Sequence, residues 1–333
     1  MNAERSPNRD VIVVGASMGG IEALSNLANK LPADLPAAVL VVQHIAETSP
    51  ALLSAILDRK GPLPAVTAED RMPLERGRIY VAPPGRHMLV GKGGTIRVVF
   101  GPRENRARPA IDPLFRTAAV HCRSQVIGVI LTGLLSDGAA GLYAVARCGG
   151  VAIVQAPDDA PSPEMPRRAL ERVPEAVTPT LAELAPLLGR LAREPAPPPP
   201  EIPETLETEV RLTERAMRND DWFKVPGRPT NFTCPECMGA IQELDESGQR
   251  RYRCRVGHAY SAEDLLGEKG SAVEDTLWVA LQTLEERAEM LASMARDDRV
   301  RGRSHSAAGY EERARETATH AERLRELLRS LPV

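Results

Sequence analysis

Val11-Ile12-Val13-Val14 is an unbroken run of β-branched residues, which reads as a buried strand. A turn of small residues, Gly15 to Gly20, follows it, and helical spacing begins at Ile21. Apolar runs then alternate with helical segments as far as Ala192. The pattern predicts strands at 11–14, 38–43, 78–82, 96–100, 126–132 and 151–155, and helices at 21–30, 50–59, 113–121, 138–148 and 181–191. Such alternation defines an α/β fold: an open, doubly wound, mostly parallel sheet with helices on both faces. The piece from 78 to 100 departs from it. Pro83-Pro84-Gly85 and Gly91-Lys92-Gly93-Gly94 cut it into short strands, which predicts an antiparallel hairpin excursion.

Beyond 192 the pattern changes. Glu194-Pro195-Ala196-Pro197-Pro198-Pro199-Pro200-Glu201-Ile202-Pro203 is a stiff, extended linker and marks a boundary. The expected organisation is a catalytic domain over 1–192, the linker over 193–204, a charged helix and connector over 205–233, a cysteine-rich module over 234–262 and a helical hairpin over 263–333. Heptad-like Leu, Ala and Met spacing at 271–296 and 307–331, rich in Glu and Arg, predicts two antiparallel helices suited to self-association or to docking a partner helix. No internal repeat is present.

Composition narrows the class. A formal net charge of −3 over 333 residues gives no reason to expect nucleic acid or an anionic membrane as partner. No apolar run is long enough to span a bilayer, and the polar start leads straight into a strand, so neither membrane insertion nor a secretory leader is expected. Five unevenly placed cysteines argue against a disulfide framework and for the cytoplasm.

Three polar residues stand just beyond three of the predicted strands. Ser17 lies in Gly15-Ala16-Ser17-Met18-Gly19, a Gly-x-Ser-x-Gly elbow that lifts a hydroxyl clear of the backbone and aims free N–H groups at whatever it attacks. Taken alone, the stretch also fits a phosphate-binding turn or a close-packed corner. His44 ends the second strand, where a structural role is the bland alternative, and Asp137, in Ser136-Asp137-Gly138, also fits a helix cap. Together they are what serine-based acyl transfer requires: a nucleophile, a base to take its proton, and a carboxylate to hold the imidazole. The order Ser, His, Asp differs from the Ser, Asp, His of α/β-hydrolases. A dinucleotide site is disfavoured, because Gln43-His44 stands where the acidic ribose partner belongs.

The segments Val14-Gly15-Ala16-Ser17-Met18-Gly19-Gly20, Gln43-His44-Ile45, Tyr80 to Met88, Arg108 to Phe115, Gly128 to Gly133 and Asp137 to Gly141 resemble, in the same order, the catalytic domain of the bacterial chemotaxis protein-glutamate methylesterases, the CheB type. The resemblance covers 11–192. It implies hydrolysis of glutamyl methyl esters on methyl-accepting chemoreceptors with release of methanol, and, in some members, deamidation of receptor glutamines, with no cofactor for catalysis. It places the nucleophile at Ser17, the base at His44 and the orienting acid at Asp137, with oxyanion donors near Met18 and around Leu134. Threonine is usual where Met18 stands, and Gly-Met-Gly-x-Asp where Gly133-Leu134-Leu135-Ser136-Asp137 stands, so the shape of the oxyanion pocket is what these departures touch. The receiver domain that precedes this domain in the family has no counterpart ahead of Val11, so control by its phosphorylation in cis is not expected. The alternative from another class is a non-catalytic signalling scaffold that binds receptor or partner helices.

Cys234-x2-Cys237 and Cys254-x3-His258 give metal-ligand spacing around a hairpin, a zinc ribbon in outline. Structural zinc is expected, and a degenerate ribbon packed without metal is the alternative. Catalytic zinc is not expected, since four protein ligands leave no open position. Ribbon and helical hairpin resemble the C-terminal extension of some receiver-less methylesterase-like proteins. Arg103, Arg106 and Arg108 form either a solvated loop or a basic rim for acidic receptor helices, and Cys122 and Cys148 read as inert, buried thiols.

Overall fold

The structure is a computed structural model describing residues 8–215, 227–246 and 249–330. Its first elements in chain order are β1 (Val11–Ala16), α1 (Gly20–Lys30), β2 (Ala38–Gln43), α2 (Leu53–Lys60), β3 (Ala65–Thr67), β4 (Arg78–Val81), β5 (His87–Gly91) and β6 (Thr95–Val99). Then come α3 (Ile111–Cys122), β7 (Val126–Ile130), α4 (Ala139–Arg147), β8 (Val151–Val154), α5 (Glu164–Arg172) and α6 (Leu181–Leu191).

Six of the strands form one parallel sheet in the order β3-β4-β2-β1-β7-β8. Side chains alternate between its faces, so each strand feeds two cores. Val13, Leu40 and Ile130 pack with Leu114 and Phe115 of α3 and Leu142 of α4. Ile12, Val39 and Val129 pack on the other face with Leu24 and Leu27 of α1 and Leu188 of α6. Each such side chain contributes roughly 1.5–3 kcal/mol by leaving water. Strand β1 has β2 on one side and β7 on the other, so the order reverses at its end. A crevice opens at the carboxyl edge of such a switch point.

Two differences from the sequence pattern have simple causes. Arg78–Val81 belongs to the main sheet, between β2 and β3, and the antiparallel hairpin is β5 with β6 alone. The hairpin begins only after Pro83-Pro84-Gly85 has turned the chain away. Helix α5 is absent from the pattern because it is densely charged and buries only Met165, Pro166 and Ala169.

The C-terminal elements are α7 (Glu204–Arg215), β9 (Arg228–Thr233), β10 (Ala240–Glu246), β11 (Gln249–Cys254), β12 (Ala259–Ser261), α8 (Ala262–Val300) and α9 (Ser304–Ser330). Strands β9 to β12 make a second, antiparallel sheet in the order β12-β11-β10-β9. The chain divides into two compact units, Met1–Asp264 and Leu265–Val333. This division falls well beyond the proline-rich stretch.

The cause is a buried cluster of charges. Arg116 of α3 reaches Glu104 at 2.5 Å, and Arg251 of β11 binds Glu209 of α7 with two contacts of 3.1 Å. Arg253 lies 3.6 Å from Glu104, and Arg251 lies 3.9 Å from Asp112. All six side chains are buried, three acidic and three basic. Buried charges persist only when compensated, so α7 and the ribbon are bound into the first unit.

In the second unit, Arg299 pairs with Glu311 at 2.6 Å and Arg325 pairs with Glu285, which sets α8 and α9 antiparallel. Leu281, Leu291 and Ala295 of α8 are buried, as are the small residues Ala307 and Ala321 of α9. Among the described residues no helix is long and apolar enough to cross a membrane.

The Arg116→Met variant strands the Glu104 carboxylate without its nearest counter-charge. It is expected to lose about 3–5 kcal/mol of stability, read from the denaturant midpoint of the whole chain.

Candidate active site

The parallel register sets Ala16 beside Gln43, so Ser17 and His44 are the next residues out on neighbouring strands. Four hydrogen bonds fix them there. The Ser17 N–H donates to the Thr132 carbonyl at 3.0 Å, and the His44 N–H donates to the Ala16 carbonyl at 3.0 Å. The Gln43 amide donates to the carbonyls of both Ser17 (2.8 Å) and His44 (3.0 Å). Gly20, the first residue of α1, lies so close to Gln43 that a Cβ there would sit 2.0 Å from its Oε1. Gly133 is equally confined: a Cβ would meet the Ser17 Cβ at 2.8 Å and the Met165 Cε at 2.6 Å.

His44 Nε2 lies 2.7 Å from Asp137 Oδ2. With Nε2–H given to the carboxylate, Nδ1 is the ring nitrogen left to accept a proton. Among the described residues the Ser17 hydroxyl makes no hydrogen bond. The imidazole–carboxylate leg is therefore closed and the serine leg open, as is common before substrate binds. The backbone N–H groups of Met18 and Leu134 likewise donate to no protein acceptor among the described residues, and Leu135 beside them is left-handed at φ 67°.

Asp137 is 1% exposed and satisfied on both oxygens. Oδ2 accepts the Ile111 N–H at 2.6 Å in addition to His44. Oδ1 accepts the Asp112 N–H at 3.2 Å and the Asn105 amide at 2.9 Å. Ile111 and Asp112 open α3, so the carboxylate sits on that helix's free N–H groups. Burial pushes the Asp137 carboxyl upward, but the bonds from His44, Ile111 and Asn105 outweigh it and hold the group below the ordinary range.

Asp112 is also buried, and it goes the other way. Burial and the neighbouring Asp137 charge raise it, although it accepts the N–H groups of Gly138 (3.1 Å) and Gly141 (2.6 Å). The Asn105 amide spans the pair, 2.9 Å from an oxygen of each. The sequence pattern passed over Asn105 and Asp112. Asp112 lay within the stretch quoted for the family resemblance and could have been suspected as an acid opening a helix, but Asn105 carried no signal beyond a polar loop.

The loop that bears Asn105 is held by His87, which is buried and uses both ring nitrogens. Nδ1 accepts the Ala110 N–H at 3.2 Å, and Nε2 faces the Pro102 carbonyl at 2.8 Å, which fixes the neutral tautomer. Burial drives its pKa down. Arg103 and Arg108 converge on Glu47 at 2.9 and 3.1 Å, and Arg108 also stacks 4.0 Å over the Phe100 ring. Arg103 and Arg108 are thus tied to the segment that follows β2. Burial pushes the Cys122 thiol up to about 12 and Cys148 up to about 11, so neither is nucleophilic at neutral pH.

At the ribbon, Cys234, Cys237, Cys254 and His258 bring one donor atom each to within 4.8 Å of one another. Nδ1 of His258 lies 3.6 Å from the Cys234 sulfur and 3.5 Å from the Cys254 sulfur, and the Cys237 and Cys254 sulfurs are 3.6 Å apart. Nε2 of His258 faces Glu236 at 3.3 Å, and Glu236 also accepts the Tyr260 hydroxyl at 2.9 Å.

Comparison with known proteins identifies the family of the first part of the chain. The family model of the CheB methylesterase matches residues 12–188. The chain belongs to the CheB methylesterase family. A Leptospira interrogans protein provisionally named a protein-glutamate methylesterase/protein-glutamine glutaminase is 39% identical over 184 residues, 55% of this chain and 95% of that one. A protein-glutamate methylesterase/protein-glutamine glutaminase of Anaeromyxobacter dehalogenans is 39% identical over 151 residues, 45% of this chain and 44% of that one. The crystal structure of the Thermotoga maritima CheB methylesterase catalytic domain superposes with a TM-score of 0.51 at 29% identity, covering 55% of this chain and 98% of that one. The family match ends before α7 and the ribbon.

The depressed Asp137 pKa fixes a pH signature. An acid lowered on folding contributes stability that is fully present above its unfolded value, 3.8, and is lost as pH falls through the lower folded value. Asp137→Asn is therefore expected to melt below the wild type at pH 7. The gap between the two should close only as the solution is taken well below 3.8, which thermal midpoints over an acid series would follow.

Proposed function

We propose that this chain hydrolyses glutamyl methyl esters on methyl-accepting chemoreceptors, working on their cytoplasmic helices, with Ser17 as nucleophile, His44 as base and Asp137 as the acid that orients the imidazole. The observation that carries this is the 2.7 Å contact between a fully satisfied, buried Asp137 and His44, which, like Ser17, stands one residue beyond its strand on neighbouring β2 and β1.

Nδ1 of His44 takes the Ser17 proton as the hydroxyl oxygen attacks the ester carbonyl. Asp137, kept ionised by its donors, stabilises the imidazolium. Negative charge on the carbonyl oxygen is met by the free N–H groups of Met18 and Leu134. Both are backbone donors, so the unusual side chains at these positions leave the chemistry intact. Collapse expels methanol, which takes the proton back from His44. Water, activated by the same imidazole, then releases the glutamate. An amide substrate runs the same course with ammonia leaving, which is the glutaminase reaction of the relatives' names.

We further propose that Cys234, Cys237, Cys254 and His258 hold a structural zinc ion. Three of their six separations, at 3.5–3.6 Å, match the edges of a tetrahedron built on Zn–S and Zn–N distances of about 2.3 and 2.0 Å, and all four donors lie within 4.8 Å of one another. Glu236 on the far nitrogen of His258 supplies the outer carboxylate that such sites use to orient a ligand imidazole.

Two measurements test these assignments. Ser17→Ala should abolish methanol release from methylated receptor while its far-UV circular dichroism matches wild type, and unchanged release would remove Ser17 as nucleophile. Elemental analysis should find about one zinc per chain. Cys237→Ser should bring the metal close to background.

A further inference from the structure

Asn105 joins the ribbon to the catalytic machinery. Asn105 has a left-handed backbone at φ 48°, and its N–H donates to the Ala259 carbonyl of β12 at 2.9 Å. Its side-chain amide donates to Asp112 and Asp137 at 2.9 Å each. The preceding residue, Glu104, forms a parallel bridge with Ala259 and is flanked by the ribbon's Arg251 and Arg253 at 3.8 and 3.6 Å. On the same loop, a Cβ placed on Gly257 of the ribbon would come 2.9 Å from Pro102. One strand edge, two guanidiniums and one close packing contact of the ribbon therefore all act on the loop that presents Asn105.

We propose that the ribbon is a working part of the esterase: by clamping this loop it seats the Asn105 amide on the Asp137 carboxylate, which makes Asn105 a positioning residue for the His44–Asp137 pair. This rests on the triad assigned above. Its physical basis is the charge balance around Asp137. Asp112 and Asp137 are two buried carboxylates that share the Asn105 amide, and two like charges this close oppose each other's ionisation. The amide supplies one donor to each. The ribbon's Arg251 and Arg253 add positive charge beside Glu104 and, from Arg251, beside Asp112. Without the clamp the amide loses its seat, the carboxylate loses a donor, and the imidazole loses a fixed partner.

The experiment uses the full chain and methanol release from methylated receptor. Asn105→Ala should lower kcat about tenfold with KM nearly unchanged, since the lost bond acts on the base and not on the substrate. Asn105→Asp keeps the shape but replaces the donor with a third carboxylate, so it should be worse than alanine. A role in packing alone would instead leave the isosteric aspartate close to wild type and the alanine worse, and that ranking would overturn the proposal. The downfield proton resonance shared by His44 and Asp137 should shift in both variants, and an unshifted resonance would also overturn it. Arg251→Met tests the ribbon's part. It should lower kcat in the same direction, and the double variant with Asn105→Ala should fall no further than Asn105→Ala alone. Multiplying effects, or a wild-type kcat in Arg251→Met, would detach the ribbon from the site. Should Arg251→Met fail to fold, the Asn105 variants decide the positioning role by themselves. Ser17→Ala separates the two levels: release that survives it removes the triad, whereas release lost there and unchanged in the Asn105 variants removes only this proposal.

Discussion

A carboxylate buried at the edge of a parallel sheet must be compensated from every direction, and the Asp137 carboxylate organises much of what surrounds it. Water supplies little of that compensation. The start of α3 gives two N–H groups, the loop before it gives the Asn105 amide, and β2 delivers the imidazole. The donors come from three different segments, so the carboxylate ties together pieces that the sheet alone would leave independent. A hydrogen bond to an ionised group is worth more than one between neutral partners, and here several converge on a single side chain.

The same demand propagates outward. Asp112 sits beside Asp137 and needs donors of its own, which the start of α4 provides through Gly138 and Gly141. Glu104, next to Asn105, needs cations, and it takes them from α3 and from β11. Step by step the compensation of one acid reaches α7 and the antiparallel sheet. This is why the compact unit runs on to Asp264 although a proline-rich stretch interrupts it. Extended proline segments separate domains when little crosses them, and here a balanced set of buried ions crosses.

Much of this was legible in the residues. Runs such as Val11 to Val14 and Ala38 to Val42 announce strands buried on both faces, because nothing polar interrupts them. Ser17, His44 and Asp137 were visible because chemistry-bearing residues just past strand ends converge in an open α/β sheet. Cys234, Cys237, Cys254 and His258 were visible from spacing alone. The illegible parts depend on contacts between distant segments. Glu104, Arg251 and Arg253 read as ordinary solvated charges until the fold buries them together. Asn105 reads as loop polarity until β12 arrives beside it. Helix α5 has too few apolar positions to register, and the hairpin's true start depends on where the proline turn releases the chain.

His87 gives the molecule a weak point on the acid side. It is neutral, enclosed and accepts the N–H of Ala110, the residue that leads into α3. Unfolded histidine gains a proton near 6.5 while the enclosed ring resists it, so folding becomes less favourable as pH falls below that value. Once the ring does protonate, Nδ1 can no longer accept, and the N-terminal edge of α3 loses an anchor. Acid therefore works against the fold at the residue leading into α3, directly behind the cradle of the Asp137 carboxylate.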